Sequence, residues 1–279
     1  MYRSRTRLRL LGAAALLLAT IGAGCQAEES PIARQDLARP GALRICSDPT
    51  RPPMEYRGND GVLRGFEVDL LREVAGELDL RPVWIDTRRT ALVGAVLARK
   101  CDVIASSFPV RWEYQQSIRQ VEYLGVPISL LVRDDDDPPL AIGLCGRAIG
   151  AFARTRESEL LVEYSKVCRR HGRPPVKRVA MTDTPDALRQ LQSGSIDGLL
   201  DERPSVAWYS RLQTDRFDDG GGLPDEQVDY SIGYGAGRNS VFWGIRSALQ
   251  TLHSDGRFRD LLHRWGLDRN GVEGLPLYS

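Results

Sequence analysis

"VLRGFEVDLLREVAGELDLRPVWID", residues 62–86, decides the fold. Phe66, Val68, Leu70, Leu71, Val74, Ala75 and Leu78 recur at the spacing of one helix face. "RPVWID" then reads as a short strand. The same alternation extends both ways along the chain. "ALRIC" upstream is a strand, "TALVGAVLARK" downstream a helix, and "CDVIASS" a strand that ends in two small hydroxyl residues. Strands alternating with helices of this length imply a parallel sheet with helices on its faces. Ligands on such sheets gather at the carboxyl ends of the strands, where Asp48, Ser106 and Ser107 fall.

Further on, "VPISLLVR" is a strand, and the acidic run "DDDDPP" after it is a solvated loop. A second α/β pattern follows. "RAIGAF", "VKRVAM" and "IDGLLD" read as strands. "ESELLVEYSKVCRRHG", "TPDALRQLQSG" (Thr184 as N-cap) and "PSVAWYSRLQT" read as helices. "DDGGGLPDE" is a loop, "VDYSIGYGAG" a strand, and two closing helices break at Ser254–Gly256. Two α/β units are therefore joined by two extended crossings, near 126–133 and 229–236, which make a two-stranded hinge with a cleft between lobes. Lobe 1 is expected over 42–132 and 233–279, and lobe 2 over 133–232.

The chain has 279 residues, 42% hydrophobic and 27% charged, which fits a folded globular protein. Only Lys100, Lys166 and Lys177 of its 38 basic residues are lysine, so a single arginine says little about a site. Arg3, Arg5, Arg7 and Arg9 precede the apolar "LLGAAALLLATIGAG", the pattern of an export signal over residues 1–25. "IGAGC" resembles a bacterial lipobox in which Cys25 becomes the lipidated N-terminus, with Gly22 standing where the pattern prefers Leu, Val or Ile. Residues 26–41 are polar and read as a tether. Without the signal the formal charge falls from +1 to a small negative value, which argues against a nucleic-acid partner. Setting Cys25 aside leaves Cys46, Cys101, Cys145 and Cys168, an even number that suggests two disulfides outside the cytoplasm. No metal or cofactor is expected. There is no CxxC, and His171, His253 and His263 all lie outside the expected cleft.

Several stretches, in this order, carry a family resemblance: "LRICSDPTRPPMEYRGNDGVLRGFEVDLLREVAGEL", "LARKCDVIASS", "LCGRAIGAFART", "DTPDALRQLQSGSIDGLLDERPSVAWY" and "LHSDGRFRDLLHRWGL". From about residue 42 onward the chain resembles the extracellular solute-binding proteins of family 3, the type II periplasmic binding proteins that serve polar amino acid ABC transporters. The resemblance implies the α/β two-lobe fold, a disulfide between Cys145 and Cys168, and a ligand held between the lobes. Cys46 and Cys101 are the other candidate pair. Were their strands parallel neighbours, the two residues would sit near opposite ends, an unfavourable geometry for a bridge.

The family pattern also implies a site, and this sequence departs from it. Asp48 fits the aspartate after the first strand, and Ser106 and Ser107 fit the small pair after the third. Arg51 and Arg89 stand where aromatic or apolar walls are expected. Pro109 lacks an N–H that would hold a ligand carboxylate. Tyr114 stands at the place of the carboxylate-clamping arginine, with Arg111 three residues earlier as a shifted substitute. Arg154, Thr155 and Arg156 replace a Gly-Thr-Thr turn, and Glu202, beside Asp201, replaces an aspartate for the ligand ammonium group. Trp112 and Tyr114 are candidates for the missing aromatic platform. Five arginines (Arg51, Arg89, Arg111, Arg154 and Arg156) then face one cleft, which favours an anion unless carboxylates such as Asp48 and Glu202 answer them.

The expected activity is that of a lipid-anchored extracytoplasmic binding protein, not an enzyme. Its expected partners are a small polar or anionic ligand, an ABC transporter permease and, through the anchor, a membrane; the chain is expected to be a monomer. An alternative rests on "DTRRTALVGAVLARKCDV" and "LRICSDP", which resemble the binding-protein-like partners of quinoprotein alcohol dehydrogenases in Arg88, Arg89, Cys46 and Cys101. "LCGR" with the later cysteine fits the transporter branch better. The same fold also hosts dehydratases, with Glu202 as the candidate acid or base, but no nucleophile–base pair stands out.

Overall fold

The computed structural model describes residues 31–134, 141–268 and 273–274. The export signal, Cys25, residues 26–30 of the tether and most of the acidic run lie outside them. In chain order the strands and helices begin with β1 (Ala42–Ser47), β2 (Thr50–Arg51), β3 (Glu55–Arg57), β4 (Leu63–Arg64), α1 (Phe66–Glu77), β5 (Arg81–Asp86), α2 (Leu92–Leu97), β6 (Val103–Pro109) and β7 (Ile118–Arg133). They continue with β8 (Ala148–Phe152), α3 (Arg156–Arg170), β9 (Lys177–Met181), α4 (Thr184–Gln192), β10 (Gly198–Glu202), α5 (Arg203–Leu212), β11 (Phe217–Gly235), α6 (Asn239–Ser254), α7 (Arg257–Arg264) and β12 (Glu273–Gly274).

One sheet runs through both lobes in the order β5-β1-β6-β11-β7-β10-β8-β9, and a small sheet β2-β3-β4 forms the lip of lobe 1. β1 is parallel to β5 and β6, and β8 is parallel to β10 and β9. Each lobe thus has the parallel core that the strand–helix alternation requires, with β1 and β10 almost wholly buried. The helix stripe falls as its spacing demands: Phe66, Val68, Leu70, Leu71, Val74 and Ala75 are all buried.

The hinge is the antiparallel pair β7–β11, matched from Ile118↔Gly235 to Arg133↔Phe217. β11 leaves β6 at Tyr230, and β7 meets β10 at Ile128, so the sheet passes from one lobe to the other around 124–128 and 227–230. The boundaries expected at 132/133 and 232/233 lie within these two strands. "DDGGGLPDE", expected as a loop, is instead part of β11. β7 supplies the ladder, and register shifts at Asp219/Gly222 and Gly222/Gln227 absorb the glycines.

Two smaller expectations are also corrected. Residues 31–41 are not a free tether but pack on lobe 1. Ile32 and Leu37 are buried, Ala33 N donates to Ser240 Oγ at 3.0 Å, and Arg99 Nη2 donates to the Gln35 carbonyl at 2.8 Å. Two apolar side chains in a polar stretch suffice to seat it. The N-cap of α4 is Asp183, not Thr184, with Asp186 N donating to Asp183 Oδ1 at 2.8 Å.

Both cysteine pairs are bridged, with Cα–Cα distances of 5.7 Å for Cys46–Cys101 and 5.6 Å for Cys145–Cys168. The objection to the first pair fails because Cys101 is not on a strand. It sits in the turn between α2 and β6, ahead of the Cys46↔Ile104 register, and that turn brings it back beside Cys46.

Candidate functional site: an arginine across the cleft

The lip after β1 is held by Asp48. Its N–H donates to Ser106 Oγ at 2.9 Å, and its carboxylate accepts from Arg89 N at 2.7 Å and from Thr50 Oγ1 at 3.1 Å. Those bonds fasten the ends of β1, β6 and the 89–91 turn to one another. The Pro52–Pro53 peptide is cis, and β2 and β3 pair as a hairpin with Arg51 opposite Glu55.

From that hairpin Arg51 reaches into lobe 2. Its Nη2 lies 2.8 Å from Asp201 Oδ1 and also bonds Glu202 Oε2. Asp201 and Glu202, at the carboxyl end of β10, are both buried. Asp201 Oδ1 also accepts from Glu202 N at 2.9 Å. The Phe152 ring at the end of β8 lies 5.8 Å from the guanidinium carbon. Burial alone would lower the Arg51 pKa, but Asp201, Glu55 and Glu157 around it outweigh burial and hold the guanidinium charged. Burial pushes the Asp201 carboxyl up, against the pull of Arg51 and Arg89.

Arg89 does not extend into the cleft as a ligand group would. Its Nη1 and Nη2 donate to the Ser106 and Ser107 carbonyls at 3.1 and 3.3 Å, and burial followed by the charge of Arg51 lowers its pKa. The two serine hydroxyls turn toward the buried Glu55, Ser106 Oγ at 3.4 Å from Oε1 and Ser107 Oγ at 2.8 Å from Oε2. Ser107 N donates to Glu67 Oε2 at 2.8 Å, and Tyr123 Oη donates to Glu67 Oε1 at 2.9 Å. Ser107 takes a φ of 44°, a left-handed conformation held by these bonds. Burial, then the neighbouring Glu67, push the Glu55 carboxyl well above the ordinary carboxylate range.

The remaining candidates line the other rim. Arg111 also spans the lobes, with Nη2 donating to the Arg154 carbonyl at 2.9 Å and Nη1 3.4 Å from Glu159. Arg154 is exposed with a φ of 63°. Thr155 caps α3, its hydroxyl donating to the Phe152 carbonyl at 2.8 Å and accepting from Ser158 N at 3.4 Å. Arg156 pairs with Glu163 and Glu226 at 2.9 and 3.0 Å. Tyr114 stacks on Phe108, 5.2 Å between centroids, and Trp112 is 76% exposed, so neither walls the cleft as a platform. A groove of about 450 Å³ between α3 and β9 is lined by none of these residues.

The structure thus gathers Asp48, Arg51, Arg89, Ser106, Ser107 and Glu202 in one place, and joins Arg111 to Arg154 beside Thr155 and Arg156. Sequence reasoning missed Glu55, Glu67, Asp201 and Phe152 as members of the cluster. Glu67 carried a signal, an acid beside the apolar stripe of α1 that ends fully buried. Among the described residues there is no group of acids, histidines and cysteines able to hold a metal, and no helix is long and apolar enough to cross a membrane.

Comparison with known proteins identifies the family and the fold. Residues 43–268 match the bacterial extracellular solute-binding proteins, family 3. An arginine-binding protein of Corynebacterium glutamicum is 24% identical over 86% of this chain and 77% of its own length. A histidine-binding periplasmic protein of Salmonella typhimurium is 24% identical over 82% of this chain and 88% of its own. An ancestral arginine-binding protein bound to arginine superposes with a TM-score of 0.69 at 21% identity, covering 81% of this chain and 98% of that one. An ancestral amino acid-binding protein described as a precursor of cyclohexadienyl dehydratase gives 0.69 at 18% identity, covering 81% and 95%. These solved structures share the type II periplasmic binding fold of two lobes on a two-stranded hinge. With the family match spanning nearly all of the described residues, the chain belongs to the bacterial extracellular solute-binding proteins of family 3.

Proposed function

We propose that this chain is the lipid-anchored, extracytoplasmic receptor of an ABC transporter, closing its lobes on a small carboxylate-bearing solute and presenting the closed form to a permease. The solute class is an amino acid derivative or an organic anion. One observation carries the reading: Arg51 and Arg111 of lobe 1 bond Asp201 and the Arg154 carbonyl of lobe 2 across the cleft, on a hinge of only two strands. Arg51 neutralises acid on lobe 2, and Arg89 is tied to the Ser106 and Ser107 carbonyls, which leaves Arg111 and Arg154 on the rim to favour a carboxylate. Cys25 supplies the anchor, and the short stretch before residue 31 connects it to lobe 1.

The test is a thermal-shift screen of the chain from residue 26 onward, with both disulfides formed, against amino acids, dicarboxylates, sulfonates and phosphorylated metabolites. A ligand at 100 times its Kd adds about 2.7 kcal/mol. A carboxylate that raises the melt supports the reading, and silence across all four classes ends it. A second reading gains from the same Arg51 contact, because a cleft bridged by its own side chain has no requirement for solute. In that reading the chain is an accessory partner of a quinoprotein dehydrogenase. Neighbouring genes separate the two: a permease and ATPase, or a dehydrogenase and cytochrome.

A further inference from the structure

We infer that Arg51 is a tethered occupant of the cleft: from within the chain, its guanidinium fills the acidic face that lobe 2 offers to a cation and holds the lobes together without a solute. The inference rests on the two-lobe cleft of the proposed receptor reading, not on a solute entering it.

Four observations support it. Arg51 and its partners stand on opposite lobes, about 150 residues apart in sequence, and meet at 2.8 Å with side chains only 12% and 5% exposed. A charge removed from water to that extent persists only when paired. The site is shaped as a cation site is, with two carboxylates on one guanidinium nitrogen and the Phe152 ring 5.8 Å from the guanidinium carbon. The hairpin that carries Arg51 makes a second crossing of its own, Tyr56 meeting Trp208 of α5 at 5.3 Å between ring centroids. Finally, the tether limits the fit. Arg51 bonds both acids through one nitrogen, while Arg51 Nε and the buried Glu157 Oε1 have no hydrogen-bond partner. A guanidinium bound from solution is not held to the direction the hairpin imposes, and can present its planar fork to the carboxylates.

The acidic face therefore binds small guanidinium ions once Arg51 is withdrawn, and the lobes open when nothing replaces it. The experiment compares wild type with Arg51→Ala by small-angle scattering and by melting temperature, with and without millimolar methylguanidinium. The expected result is a larger radius of gyration for Arg51→Ala. Methylguanidinium brings that radius back toward the wild-type value and raises the variant's melt, while wild type responds in neither measurement. A variant as compact as wild type and indifferent to methylguanidinium overturns the inference, as does an equal response from wild type.

Should Arg51→Ala fail to fold, the Asp201→Asn/Glu202→Gln double variant releases Arg51 from the other side. It is expected to expand without any response to methylguanidinium, and a compact double variant overturns the inference. Failure here is distinct from failure of the receptor reading. Wild type that binds a carboxylate while Arg51→Ala stays compact refutes only the tethered occupant. An Arg51→Ala variant that opens and answers methylguanidinium, in a chain silent toward every solute, supports the occupant and refutes the receptor.

Discussion

Replacing Cys46 and Cys101 together by alanine should destabilise the protein more than replacing Cys145 and Cys168. The first bridge has a sequence separation of 55 and the second of 23. In the chain-entropy argument, the loop term restricts the unfolded chain by about 4.2 kcal/mol for the longer loop and about 3.4 kcal/mol for the shorter at 25 °C. Surroundings widen the gap. Cys46 and Cys101 are fully buried in a cluster with Leu92, Val96, Ile104 and Phe108, so each missing sulfur also removes packing. Cys145 is only half-buried. For a chain of this size, about 4 kcal/mol corresponds to a fall in Tm of about 8–16 °C. Urea melts of oxidised wild type and the two double variants, read by far-UV circular dichroism at constant slope, give the comparison. A Cys46/Cys101 variant that loses less than the Cys145/Cys168 variant would refute the reasoning, since both loop length and burial point the other way. The position also matters to the site. Cys46 lies two residues before Asp48, so the bridged strand end is the one that fastens the lip.

Gly65, the N-cap of α1, and Gly76, in its last turn, should respond oppositely to alanine. At Gly65 (φ 142°) a Cβ runs into the Met54 carbonyl, so Gly65→Ala costs roughly 3 kcal/mol or more, whereas Gly76 meets nothing within 4 Å and gains about 1 kcal/mol; thermal melts of the two variants check the sign. Glu55→Gln should gain stability over wild type as pH rises. The raised Glu55 pKa gives a contribution present below the ordinary carboxylate range and lost as pH climbs toward the folded value, so parallel Tm curves between pH 4 and 8 would contradict a carboxyl pushed up by burial and Glu67. Thr155→Ala removes the cap of α3 and should cost about 1 kcal/mol in a urea melt, while an unchanged midpoint would show that the hydroxyl does not hold the helix.

The site was less legible in the sequence than the fold, for a reason visible in single residues. The small hydroxyl pair Ser106–Ser107 at the end of an expected strand points to a ligand; in the structure both hydroxyls face Glu55, an acid on a different element. Spacing along the chain puts Tyr114 at the place of the clamping arginine, but its ring stacks on Phe108. Spacing along a strand or helix tells which end a side chain occupies. It does not tell which of several nearby charges will meet it.

The sequence by itself determined the alternation of strands and helices, the two lobes on a paired hinge and the family. The family is carried by motifs in a fixed order; the alternation and the lobes depend on apolar periodicity, which is written in neighbouring residues and enforced by burying one face of each element. Only the tertiary structure decided that Cys101 returns to Cys46 through a turn, and that Arg51 crosses to Asp201 and Glu202. A guanidinium bonds any carboxylate within reach. Which carboxylate is in reach depends on how far the lobes close, a distance that residues 150 positions apart set together.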